Sequence, residues 1–253
     1  MSGRTVADTA RLTGRTLRHI SRSPDTIMTT TVMPIAFMLL FVYVFGGSMH
    51  TDTKPYVNYL LPGILIITIA TSASYTGFRV FMDVQSGLVR RFRSMPISSA
   101  SILWAHVLTA LLATVTSLVV VVATALLIGF RTNAGVLAWC TAIGVAITFT
   151  LAMTWLAVIA GLSAKTVDGA TAFSYPLIML PFVSSAFVLT TTMPGPLRAF
   201  AEHQPVTPIV NTLRDLLSNQ PVDGSIWIAL GWCAGVILVT YTIAMRVFRR
   251  MAR

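Results

Sequence analysis

Six apolar runs, at 27–47, 56–78, 102–130, 134–162, 171–192 and 225–245, constrain this chain more than anything else in it. A hydrocarbon core about 30 Å thick takes about 20 helical residues to cross. Backbone groups cannot stay open there, so each run predicts a helix. The expected fold is an all-α integral membrane protein of six transmembrane helices, one domain over 1–253. Composition agrees, with 10% of residues charged where a soluble domain carries about 25%. The third and fourth runs are longer than needed and should tilt or protrude. That sets Trp104 and His106 in the interfacial layer. Pro34, Pro62, Pro176 and Pro181 fall inside runs, where neighbouring helices can satisfy the freed carbonyls. Pro176 and Pro181 predict a bend in the fifth.

The polar segments say how the runs are threaded. The stretch 83–98, DVQSGLVRRFRSMPIS, is the longest break in the first two thirds of the chain. Val84, Leu88 and Met95 recur at near-helical spacing, with Phe92 four after Leu88. The pattern predicts a short amphipathic helix closed by Pro96. Arg90, Arg91 and Arg93 make it basic. It either fixes topology alone or also offers a partner protein something to push on. In 6–22, Arg11, Arg15, Arg18 and Arg22 share one helical face, opposite Val6, Ala10, Thr13, Leu17 and Ile20. Segment 1–24 is therefore expected to lie in the membrane interface. The apolar run after it is too long for a signal peptide.

Fourteen of the 18 Lys and Arg fall in the N-terminal arm, the second loop, Lys165 and the C-terminal tail. Lys54, Arg131, Arg198 and Arg214 lie on the other side. This split puts both termini in the cytoplasm. Arginines at the ends of apolar runs also argue against nucleic acid as the reason for the net charge of +10.

The third and fourth runs are joined so briefly that they should pack as an antiparallel pair. The connection 193–224 is long and proline-rich. Within it Val206, Ile209, Val210, Leu213, Leu216 and Leu217 keep a helical period, but Arg214 and Asp215 make the stretch too charged to span. It reads as one or two short helices that dip into the outer leaflet and cap a pathway, or as a surface helix closing the bundle. Gly231 and Gly235 form a G-x-x-x-G suited to close helix packing, within the bundle or at a subunit contact.

Much chemistry is missing. No phosphate-cradling G-x-x-x-x-G-K-[ST] occurs, nor H-E-x-x-H or G-x-S-x-G. His19, His50, His106 and His203 are scattered, so no metal site is read, and Cys140 and Cys233 sit in apolar runs as packing residues. Charges are nearly absent from the run interiors, which argues against ion coupling. Energy must come from outside the chain. Thr68, Thr71 and Tyr75 share a face of the second run. Ser174, Pro181 and Ser185 share a face of the fifth, with Tyr175, Phe182 and Phe187 nearby. Hydroxyls beside aromatics suit an amphipathic or lipid-like cargo, although ordinary helix–helix hydrogen bonding accounts for each singly.

Four stretches together resemble the permease subunits of type-2 ABC exporters, within them the daunorubicin-resistance-type permeases. These are YLLPGIL (59–65), SGLVRRFRSMPIS (86–98), SYPLIMLPFVSSAFV (174–188) and HQPVTPIVNTLRDLL (203–217). The resemblance implies six spans per subunit, two such subunits around the pathway, and an interfacial N-terminal helix. It implies that the loop after the second span carries a coupling helix docking on an ATP-hydrolysing subunit. Carried over by motif, Asp83, Gly87, Arg90, Arg91, Phe92, Arg93 and Pro96 would form that contact. The 205–217 stretch would supply outer, partly re-entrant helices, with Pro205, Pro208 and Arg214 as the outer gate.

The expectation is a permease of an ATP-driven exporter in a bacterial plasma membrane, moving a hydrophobic drug, lipid or lipid-linked metabolite. It is not an enzyme itself, and ATP and Mg belong to a cytoplasmic partner subunit. A second permease subunit and membrane lipid are the other expected partners, and nucleic acid is not one. The alternative is a membrane scaffold or assembly protein that transports nothing.

Overall fold

The computed structural model describes residues 28–46, 56–87, 99–188, 190, 193–222 and 224–251. The amphipathic segment 6–22 lies outside them, as do Arg90, Arg91, Phe92, Arg93 and Pro96. The described secondary structure is helical. Helix α1 (Met33–Leu40) is flanked by π-helical turns at Met28–Val32 and Phe41–Phe45. Long helices follow: α2 (Tyr56–Gln85), α3 (Ser99–Ile128) and α4 (Val136–Ser163). The fifth apolar run is broken into α5 (Val167–Ala172), α6 (Ser174–Met179) and a 3₁₀ turn at Leu180–Val183. Helices α7 (Gly195–His203) and α8 (Val206–Leu217) precede the last long helix, α9 (Ser225–Met251).

Helix α2 is the axis of the bundle. In its most apolar 18-residue window 89% is buried inside the chain, against 61% for α4 and 22% each for α3 and α9. It touches the first segment, α3, α4, α5, α6 and α8. The closest backbone approach explains how. A Cβ on Gly161 of α4 would overlap the Gly77 carbonyl of α2 and stand 2.9 Å from Val80 Cβ. Two glycines facing each other let α2 and α4 pack without side chains between them. The other G-x-x-x-G does not serve this purpose within the chain. A Cβ at Gly231 or Gly235 would meet nothing within 4 Å, because that face of α9 points outward.

The outer surface is apolar. Leu127, Leu137, Trp227 and Leu238 are 88%, 81%, 75% and 66% exposed on α3, α4 and α9. Water would not tolerate so continuous an apolar face, whereas lipid does. Among the described residues, four helices are long and apolar enough to cross a membrane. The first and fifth runs, expected as full spans over 27–47 and 171–192, form shorter apolar helices at Thr30–Val44 and Val167–Val183. Prolines shape the fifth: Pro181 sits at the start of the 3₁₀ turn, and each proline removes a donor from the helix ladder. The long helices also outrun their apolar cores. α2 continues seven residues past 78 and α9 six past 245, carrying polar residues beyond the hydrocarbon.

Candidate functional site

Where the fifth segment stops being helical, its carbonyls need new donors. Residues 184–187 form a turn that opens with Ser184 in extended backbone. Ser184 Oγ donates to Pro181 O at 2.6 Å and accepts from Ala186 N at 3.1 Å. The rest comes from Gln204 and Arg214, after α6, and from Tyr59 of α2. Gln204 Nε2 donates to Val183 O at 2.5 Å and to Leu180 O at 3.4 Å. Arg214 Nη2 donates to Ser185 O at 2.7 Å and Ala186 O at 3.4 Å, and Nη1 to Asn211 Oδ1 at 3.2 Å. Tyr59 of α2 donates its hydroxyl to Ser185 O at 3.2 Å. Its ring lies under the guanidinium, 4.0 Å from centroid to Cζ. Ser185 Oγ closes the ring of contacts on Asn211 Oδ1 at 2.7 Å. Irregular backbone inside an apolar bundle survives only when protein groups satisfy it, and Arg214, like Gln204, serves two of these carbonyls. Burial pulls the Arg214 pKa below the usual arginine range, with Tyr59 and Asp215 opposing the shift. From so high a start it stays charged.

Aromatic rings lock the same end. Phe182 stacks on Phe187 at 5.0 Å, Phe187 on Phe41 at 5.0 Å, and Phe37 meets Phe182 edge-on at 6.1 Å. Asn58 at the start of α2 donates to Arg131 O at 2.7 Å and accepts from Arg131 N at 3.2 Å. Thr132 donates to Leu217 O at 2.5 Å. The start of α2, the α3–α4 connection and the end of α8 are thus tied at one end of the bundle.

At the other end, Asp83 Oδ2 meets His106 Nε2 at 3.3 Å. This pair joins the last turns of α2 to the first turns of α3, across the base of the 86–98 loop. Gly87 stops α2. Its φ of +72° suits a residue without Cβ, and Ser86 Oγ donates to Asp83 O at 3.0 Å. Trp104, Trp155 and Tyr241 brace this end from α3, α4 and α9, with Trp155 edge-on to both others at 5.4 and 5.0 Å. Trp104, expected in the interfacial layer, is half-buried in that cluster.

The candidate pathway residues are not gathered around one lumen. Thr68 and Thr71 are 0% and 7% exposed inside α2's packing. Their hydroxyls donate to Ile64 O at 2.8 Å and Ile67 O at 3.0 Å, one turn back. Tyr75 is half-buried further along α2. Ser185 and Phe182 belong to the Arg214 cluster. Ser174 is half-buried, and Tyr175 is 68% exposed on α6. Of the candidate gate residues, Pro205 caps the start of α8 and Pro208 sits in its first turn, where a missing N–H is harmless. Among the described residues no cluster of three metal-ligating side chains occurs.

Residues 8–217 match the family model described as ABC-2 type transporter. The chain belongs to the ABC-2 type transporter family. It is similar to the daunorubicin resistance ABC transporter permease protein DrrB1 of Streptomyces coeruleorubidus, 29% identical over 245 residues, covering 92% of this chain and 86% of that one. It is also 26% identical over 236 residues to the probable doxorubicin resistance ABC transporter permease protein DrrC of Mycobacterium tuberculosis, covering 92% and 85%. The doxorubicin resistance ABC transporter permease protein DrrB of the same species is 31% identical over 119 residues, covering 44% and 41%. The chain is therefore a multi-pass transmembrane permease of an ABC transporter.

The match takes in α8 to its last residue and both ends described above. Within this ABC-2 permease, Tyr59, Gln204, Asn211 and His106 carry contacts that sequence reading did not assign. Tyr59, Gln204 and Asn211 lie in the resembling stretches, and polar side chains flanking a proline-broken apolar run are the available signal. His106 had one too: it is the single titratable group in an apolar run of 29 residues.

Proposed function

We propose that the chain is the membrane subunit of an ATP-driven exporter that moves a hydrophobic drug, lipid or lipid-linked metabolite outward. The observation that carries this reading is the Asp83–His106 contact at the base of the loop, together with the family match. A force on loop 83–98 reaches α2 and α3 together, and α2 is the helix packed against nearly everything else. The loop is the coupling element. Asp83 and Gly87 set its start, and Arg90, Arg91, Phe92, Arg93 and Pro96 contact a cytoplasmic ATP-binding subunit that holds ATP and Mg. Both termini are cytoplasmic in a bacterial plasma membrane. The first and fifth segments complete six passes with short outer helices α7 and α8, and a second permease subunit, identical or homologous, completes the pathway. Thr68, Thr71, Tyr75, Ser174, Tyr175, Phe182 and Ser185 line that pathway once it opens. Pro205, Pro208 and Arg214 form its outer gate, a role that the Arg214 contacts with the 184–187 turn support. The names of the relatives support a drug as cargo.

Purification from native membranes in mild detergent tests the reading. A stoichiometric ATPase subunit should accompany the chain. Its absence under conditions that keep the permease folded would favour a scaffold that transports nothing.

A further inference from the structure

Three buried hydroxyls lack a partner among the described residues, and two of them, on Ser72 and Thr109, lie together between α2 and α3, away from the third on Tyr56. Ser72 Oγ and Thr109 Oγ1 are buried, on residues 5% and 2% exposed, and neither has a hydrogen-bond partner among the described residues. Their neighbours Thr68, Ser74, Thr76 and Thr114 each donate to a carbonyl one turn back. Buried polar groups left open are unfavourable, so an open pair calls for a partner, a water or a ligand. Ser72 and Thr109 both line one partly open cleft between α2 and α3, with Tyr75, Arg79 and His106, and Thr30 on the first segment, their hydroxyl oxygens just beneath its wall. The cleft offers about 30 Å³ of free space. That volume admits a carbonyl or two waters.

The cleft is graded in polarity. Arg79 is the first charged residue along α2 from Tyr56. Its guanidinium stands 5.9 Å from the Tyr75 ring centroid, with no acidic group in ion-pair range among the described residues. Ser72 lies about 10 Å deeper at 1.5 Å per residue. The walls between are largely apolar, Ala110 and Ala113 among them. A cation at headgroup depth above buried hydroxyls matches a diacyl lipid, whose phosphate sits above its ester carbonyls.

We propose that this cleft holds one anionic phospholipid of the cytoplasmic leaflet. Its phosphate pairs with Arg79, its ester carbonyls accept from Ser72 and Thr109, and its acyl chains run along the alanine wall. The site rests on the orientation proposed above and shares Tyr75 with the proposed cargo pathway.

Full-length protein in phosphatidylcholine nanodiscs with a minor share of phosphatidylglycerol provides the test, read by native mass spectrometry after release. Wild type should retain one phosphatidylglycerol. Arg79→Gln should retain it about tenfold more weakly, the loss of a charge-assisted hydrogen bond. The double variant Ser72→Ala, Thr109→Val removes only the open hydroxyls from intact helices, and should also weaken retention. Arg198→Gln, whose parent pairs with Glu202 at 2.7 Å, should change nothing. Equal retention by wild type and both cleft variants overturns the site. Displacement of the lipid by millimolar inorganic phosphate overturns the lipid assignment. Neither ATPase nor cargo is needed, so failure here leaves the permease reading standing, and failed transport leaves this site standing.

Discussion

Arg214 shows how one side chain holds a broken helix in place. It serves two carbonyls of the 184–187 turn and lies on the Tyr59 ring. Arg214→Met should destabilise the permease by about 1–3 kcal/mol, the cost of opening buried acceptors. Arg214→Lys should lose less, since an ammonium keeps the charge but not the fork. Thermal unfolding in detergent reads the order wild type, Lys, Met. Gly161 offers a second test. Gly161→Leu forces a side chain onto the Gly77 backbone and should cost about 1–3 kcal/mol. Gly231→Leu should leave the isolated chain's unfolding midpoint unchanged. Sequence alone singled out the second glycine pair because its spacing matches a known motif. Gly77 and Gly161 lie on different helices, and only the fold brings them together. Arg214 was legible as an oddity, a charge in an amphipathic run. Its carbonyl partners were not, because they lie 29 and 28 residues back along the chain.

Elements tell a different story. The long helices were readable because bilayer thickness and backbone hydrogen bonding leave few other outcomes for runs of that length. The fifth run was harder. Two prolines announced a bend, but not that Gln204 and Arg214 would replace the lost helical donors and let the helix end. In α8 the six apolar positions of the helical period are all buried, since a stripe of that width has one face to hide. Between α2 and α3, the Asp83–His106 pair is partly exposed, at 35% and 16% of the side chains. A double-mutant cycle with Asp83→Asn and His106→Gln should return about 0.5–1 kcal/mol of coupling energy. If the proposed coupling holds, each single variant should also lower ATP-driven transport more than it lowers stability. Additive stability effects with unchanged transport would make the contact incidental.

For the whole molecule, an apolar exterior around a central α2 is what makes a membrane permease of this chain. The charge asymmetry supports the proposed orientation. Cysteines introduced singly at Thr51 and Arg198, with Cys140 and Cys233 replaced by alanine, should react with an impermeant thiol reagent added to intact cells. One at Ser94 should react only after permeabilisation. The reverse pattern would invert the orientation on which coupling depends. The most direct measurement of that coupling is ATP-driven cargo uptake into inverted vesicles by the double variant Arg91→Glu, Arg93→Glu, beside a wild type inserted to the same level. Uptake should fall to the level seen without ATP while insertion stays normal. Uptake equal to wild type would contradict a permease driven through this loop.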